Sequence, residues 1–377
     1  MSAGRSGVKV GSRIARYRID TLLGVGETGE VNRAHDVRLG RDVARHGSKD
    51  MKRTSIVLIA VAAFHFTAVA QTPVVRELSA AWSLPGPWSG VVSDEKDLVI
   101  YVIGYARGAE INAAGEIQRE FMLPLNSGMT VRLARVPHPI LLIFTLWLTP
   151  GVDAYDISGR RLWSYPGGGI DDVWAGDLDD DGSDEVVVGY SAADGVHVLN
   201  GSGQLRWKST AIGNVWHVAV GDVLERGRPQ VVTTSASGKV HIFNGDGERR
   251  ADAAAPRVYA NMVRAHRLSG DDATATILVA GNDLSSRVST VMALAGDGAS
   301  KWRLELPSRV TTANVAASRP WLALGTQDGQ VFIVDAIRGE ILGRVAEQGL
   351  PEVAWIGNPP LLLVATGRSL NGFRVTQ

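Results

Sequence analysis

The sequence predicts an all-β fold, a β-propeller of four-stranded blades, seven in number. Three observations predict it. Glycine-centred turns recur at a near-constant interval: Gly115, Gly159, Gly203, Gly247, Gly298 and Gly339, spaced 44, 44, 44, 51 and 41 residues apart. Each interval holds four short apolar or β-branched runs and no sustained helical period, which is the pattern of a propeller blade. The last unit ends after PPLLLVATG and NGFRVTQ, one strand short, while LSAAWSLPG at 78–86 matches the fourth-strand segment RRLWSYPGG at 160–168. An N-terminal strand that completes the last blade closes the ring and removes the open sheet edges. The weakest match to the repeat is 124–155, so blade number rests on that stretch.

The elements before the repeats read differently. Residues 51–71, MKRTSIVLIAVAAFHFTAVAQ, place Lys52 and Arg53 before an apolar run and Ala68-Val69-Ala70 before Gln71. That order is a secretory signal peptide at 51–70. Its alternative is an uncleaved membrane helix, since 54–70 is 17 residues, at the short end of the spanning range. The mature chain is then 71–377, periplasmic or secreted. Upstream, Gly24, Gly26, Gly29 and Val31 fit a G-x-G-x-x-G-x-V glycine loop. The segment 1–50 resembles the first strands of a bacterial serine/threonine protein kinase. The resemblance fails after about 40 residues: Val43-Ala44-Arg45-His46 stands where the phosphate-pairing lysine is required, and no H-R-D or D-F-G motif follows. With lysine, base and magnesium ligand all missing, phosphoryl transfer lacks its parts. This remnant is expected to be disordered or absent from the mature protein.

Composition narrows function. Thirty-nine basic and 39 acidic residues cancel, which gives no electrostatic case for nucleic acid. The chain has no cysteine, so disulfides, thiolate catalysis and thiolate metal sites are excluded. No G-x-S-x-G elbow occurs, and the eight histidines show no metal spacing. His197 and His241 hold equivalent places in adjacent units, and His217 and His266 read as isolated. ILLIFTLWL at 140–148 is too short to span a bilayer and reads as a buried strand.

Two repeat families are similar to these units. DGQVFIVDAIRGEILGR (328–344) resembles the repeat of pyrroloquinoline-quinone-type propellers through Val331, Asp335, Gly339 and Glu340. GDLDDDGSDEVVVG (176–189) resembles the FG-GAP or VCBS calcium loop. The resemblance implies the propeller fold and leaves function open, because enzymes, adhesins and receptors share it.

The acidic loop is the one candidate metal site. Calcium takes six to eight oxygens, several from carboxylates on a flexible loop. Asp177, Asp179 and Asp181 alternate, Gly182 permits a sharp turn, Ser183 offers a carbonyl and Glu185 closes the set. Asp180 and Asp184 are out of phase and expected to face solvent. The next unit keeps Asp222 but has Leu224, Arg226 and Gln230 at the other places, so that loop is expected to keep the shape without the ion. Trp163, Trp207 and Trp302 each follow a turn glycine by four residues, and Trp82 matches them, which assigns them to packing between blades. Trp174, Trp355 and Trp88 are candidates for the central channel, with core filling the expected role.

The resulting expectation is an exported, monomeric, non-enzymatic propeller that binds a protein or glycan and carries one structural calcium, with contact to membrane only if 54–70 is retained. Two rivals stand beside it: the sensor of a degenerate membrane receptor kinase, and a propeller enzyme such as a quinone-dependent dehydrogenase or polysaccharide lyase.

Overall fold

A computed structural model of the chain describes residues 78–123, 130–144, 151–191, 194–235, 237–255, 258–268, 272–282 and 288–375, and backbone strands alone at 13–14, 17–26, 29–36, 41–48 and 76–77. The chain divides into two compact units, 1–72 and 73–377. In the first, four strands, Arg13–Ile14, Tyr17–Gly26, Gly29–Asp36 and Arg41–Ser48, form one sheet in sequence order. Gly26 and Gly29 face each other across its second hairpin. The segment 51–70 lies outside the described residues. Among the described residues no helix is long and apolar enough to cross a membrane.

The second unit is a seven-bladed propeller. Blades 1 to 6 take their four strands consecutively from 88–122, 130–166, 170–209, 217–254, 259–306 and 310–346. Blade 7 is composite: Glu352–Ile356, Leu361–Ala365 and Ser369–Arg374 are completed by the N-terminal strand Ser79–Pro85, paired antiparallel to Ser369–Arg374. The weakly matching stretch forms the first three strands of blade 2. Closure therefore comes as the repeats predict. Arg76 and Glu77 add a short parallel strand outside blade 6, on Gly343 and Arg344.

The reason for this architecture is visible strand by strand. The second strand of blade 3, Glu185–Tyr190, is buried at every position, because both of its faces meet neighbouring blades. Val186 and Val188 face blade 2 while Val187 faces blade 4. Outer strands alternate instead, as in Arg161–Pro166, where only Trp163 and Tyr165 are turned inward. The core is accordingly seven clusters, one in each gap between adjacent blades, rather than one. Innermost strands contact one another around the ring, with Glu352–Ile356 returning to Trp88–Asp94.

Four gaps share one device. The indoles of Trp82, Trp163, Trp207 and Trp302 lie over Gly115, Gly203, Gly247 and Gly339 of the next blade. A Cβ at those glycines would meet the ring at 2.5, 2.6, 2.7 and 2.7 Å. Each Nε1 donates to a carbonyl just before the glycine: Ala113 at 3.0 Å, Gly201 at 3.0 Å, Gly245 at 2.9 Å and Ala336 at 2.8 Å. The tryptophans assigned to blade packing do pack there. Trp88 and Trp355 are buried in the core, at 1% exposure each, while Trp174 keeps partial exposure.

Candidate functional site

The acidic loop joins the first two strands of blade 3. The structure brings Asp177, Asp179 and Glu185 together, each with one carboxylate oxygen within 4.8 Å of the others. Asp181 stays outside that group; its Oδ1 accepts from the Ser183 N–H at 2.7 Å. Asp177 is engaged by the backbone of its own turn, accepting from the N–H groups of Asp180 at 2.7 Å and Gly182 at 2.9 Å. Glu185 is buried and accepts from the Leu178 N–H at 2.9 Å. A guanidinium reaches the same group: Arg206, on the outer strand of blade 3, bonds Asp179 and Glu185, both at 2.7 Å. The donor set fits a hard cation, and such an ion competes with Arg206 for two of the three carboxylates. Asp180 is exposed, with φ of 61°, a left-handed conformation. Asp184 is not turned to solvent as its phase suggests. It exchanges two backbone-directed bonds with Arg135 of blade 2, both at 2.8 Å, because the loop leans on its neighbour.

The blade 4 counterpart keeps the shape. Asp222 accepts from the Gly227 N–H at 3.1 Å, as Asp177 does from Gly182, and Gln230 accepts from the Leu224 N–H at 2.9 Å. Arg267 bonds Asp222 there. Neutral Gln230 holds the turn as Glu185 does, so turn shape does not require the Glu185 carboxylate.

A second constellation lies on the propeller axis, and the sequence did not disclose it. Asp172, on the innermost strand of blade 3, is buried. Its Oδ1 accepts from Arg132 of blade 2 at 3.3 Å. Its Oδ2 lies 3.7 Å from His217 Nδ1 of blade 4 and 3.9 Å from Arg264 of blade 5. A contact between blades 3 and 5 bypasses blade 4 and so must cross the axis. Arg264 extends the network by donating to the Ala313 carbonyl of blade 6 at 3.1 Å. Thr312 beside it donates to Glu352 of blade 7 at 3.0 Å. The Trp174 ring is flanked by two cations, with the guanidinium carbons of Arg264 and Arg132 at 4.2 and 5.4 Å from its centroid.

Electrostatics at the axis follow from burial and pairing. Burial alone raises the Asp172 carboxyl, but the His217 bond and the charges of Arg132 and Arg264 hold it down to about 2. Neighbouring Asp171 has no such help. It sits at a β-bulge between Ile170 and Asp172, buried, with Oδ2 lacking any hydrogen-bond partner. Burial and then the Asp172 charge push its carboxyl up to about 7. Glu352 is raised by burial, and Arg264 is lowered to about 10 by burial and by Arg132. Arg132 and His217 each keep 18% of their side chains exposed, so the cluster is reached by water. Two cavities, of about 630 and 540 Å³, lie at the outer rim and not on the axis.

One family model covers part of this region. The family model of the lambda-carrageenase β-propeller domain matches residues 151–276. That third of the chain spans the last two strands of blade 2, all of blades 3 and 4, and the start of blade 5, and so includes Asp171, Asp172, Trp174, His217 and Arg264. Among solved structures, one of BBS1N in complex with ARL6DN is similar at a TM-score of 0.58 and 13% identity, covering 80% of this chain and 98% of that one. The computationally designed Ika8 protein is similar at 0.53 and 13%, covering 80% and 100%. At that identity the likeness is one of fold. No curated protein matches the sequence. The similarity supports a β-propeller domain.

The axial cluster was hidden by its origin. Arg132, Asp172, His217, Arg264 and Glu352 come from the innermost strands of blades 2, 3, 4, 5 and 7, each at least about one repeat from the next. The one local signal is IDDVWAG at 170–176, which puts two adjacent aspartates inside an otherwise apolar strand. His217, isolated in sequence, is a partner of Asp172 in space.

Proposed function

We propose that this protein is an exported, non-enzymatic β-propeller scaffold that binds an anionic glycan at the axial mouth. The carrying observation is Trp174, partly exposed and flanked by Arg132 and Arg264. A flat apolar ring bordered by cations suits a sugar ring bearing acidic groups. The matched family supports the choice, since its name is that of an enzyme acting on lambda-carrageenan and its model spans Trp174. Export is supported by the signal-type segment at 51–70. Calorimetry with lambda-carrageenan oligosaccharides and with an uncharged glucan tests the reading. Binding of the anionic ligand, weakened by salt and by Trp174→Ala, supports it; equal indifference to both ligands sinks it.

One observation favours a second reading, a polysaccharide-cleaving enzyme. Asp171 and Asp172 are adjacent carboxyls held near 7 and 2, an arrangement that separates a proton donor from a permanent anion. Release of new sugar ends by wild type and its loss in Asp171→Asn decides between cleavage and binding.

The acidic loop is proposed as a structural calcium site held by Asp177, Asp179 and Glu185, with Arg206 as its internal competitor. Calcium titration of the melting temperature tests it. A calcium-dependent rise that grows in Arg206→Ala is expected; a midpoint indifferent to calcium in both proteins removes the ion.

A further inference from the structure

Four innermost strands share an irregularity. In blades 1, 3, 5 and 6 a β-bulge at the second or third residue of the strand leaves one residue unpaired: Ser89, Asp171, Asn261 and Thr311. All four are polar. A bulge takes a side chain out of the ladder's alternation and re-aims it, which is why bulges recur beside binding sites.

In blade 5 the re-aimed side chain belongs to a connected group. Asn261 Nδ2 donates to Asn282 Oδ1 at 3.3 Å, and Asn261 Oδ1 accepts from Arg309 at 3.1 Å. Asn282 is the ladder partner of Tyr259. The Tyr259 ring stands edge-on to Trp216, with centroids 4.7 Å apart and planes at 85°. Arg309 is exposed and the other four residues are partly exposed. Neither ring belongs to the clusters that fill the gaps between blades. Trp216 also lacks the bond that marks the clamping indoles. Its Nε1 has no hydrogen-bond partner, whereas Trp82, Trp163, Trp207 and Trp302 each donate to a carbonyl. The group borders the axial cluster, because Trp216 immediately precedes His217, which faces Asp172.

We propose that Trp216, Tyr259, Asn261, Asn282 and Arg309 form a second sugar subsite for an acidic glycan, beside the axial one. The inference rests on the reading of the axial mouth as a glycan site. The aromatic corner suits the C–H groups of a sugar ring, and the two amides supply donors and acceptors for its hydroxyls. Arg309 bonds a neutral amide oxygen rather than a carboxylate, so its charge is left for an acidic substituent.

Calorimetry on the full propeller chain with a disaccharide and a hexasaccharide of lambda-carrageenan tests the subsite. The hexasaccharide is expected to bind at least about tenfold more tightly than the disaccharide. Trp216→Ala is expected to remove that advantage and leave the disaccharide unaffected, while Trp174→Ala weakens both ligands. Arg309→Gln, a change at an exposed side chain, is expected to weaken the hexasaccharide about threefold and to lower the salt dependence of its binding. Should Trp216→Ala fold poorly, Arg309→Gln decides alone. Hexasaccharide binding unchanged in the folded variants overturns the second subsite and leaves the axial one standing. Indifference of the wild-type protein to both ligands overturns the two together.

Discussion

The gap between blades 3 and 4 and the gap between blades 4 and 5 are built from the same repeat, yet only the first contains its indole. Trp207 lies over Gly247, donates to Gly245 and touches Phe243. One gap further on, Ala251 stands at the equivalent place and Ala253, not an indole, lies against the equivalent glycine, Gly298. The ring therefore closes with three of its seven gaps lacking the clamp, because each gap has its own apolar cluster. The glycine is retained for its positive φ, which the turn needs whether or not an indole covers it.

Predictions follow from that comparison, the largest effect first. Trp207→Ala should turn the first gap into a copy of the second and cost about 3 kcal/mol, since a partly buried aromatic is lost with its hydrogen bond. Chemical denaturation measures it, and a cost below the error of the method would show that the indoles are ornamental. Gly247→Ala should cost about 2 kcal/mol, because left-handed backbone and a Cβ set 2.7 Å from the Trp207 ring act together. Combining it with Trp207→Ala should recover part of that loss, which a double-mutant cycle reads directly.

The third prediction concerns pH at the axis. Asp171, ordinarily near 3.8, is pushed up to about 7. Between about pH 4 and pH 7 the unfolded chain sheds this proton while the folded chain keeps it, so Asp171 makes stability fall as pH rises across that window. Asp172, held near 2, acts lower and in the opposite sense, with its contribution present above about pH 4 and lost as pH falls toward 2. Asp171→Asn should flatten the upper slope and leave the lower limb unchanged. An unaltered upper slope would mean that Asp171 titrates normally. The smallest effect belongs to Gly182→Ala in the acidic loop. Its φ is +84° but nothing lies within 4 Å of the new Cβ, so only backbone strain of about 1 kcal/mol is expected.

Legibility varied with the range of the interaction. Trp82, Trp163, Trp207 and Trp302 could be assigned to blade packing because each stands at a fixed offset from its repeat. Of the alternating Asp177, Asp179 and Asp181, the first two converge with Glu185, while Asp181 turns instead to the Ser183 N–H of its own turn. Asp184 escaped the same reasoning because its partner, Arg135, belongs to another blade. Arg206 escaped it too, reaching the loop from an outer strand. Arg132, His217 and Arg264 looked like lone polar residues in apolar strands, and nothing in one repeat says which other repeats it will face.

By itself, then, the sequence determined the period, the four strands per blade, the composite seventh blade and the place of each clamping tryptophan. These are properties of spacing and of local backbone preference, which are written along the chain. The tertiary structure alone decided that Asp172 meets cations from blades 2 and 5 on the axis. It alone decided that Arg206 sits against the acidic loop and that Ala253, rather than an indole, lies against Gly298. Ring closure sets those distances, because it brings the innermost strands of distant repeats within reach of one another.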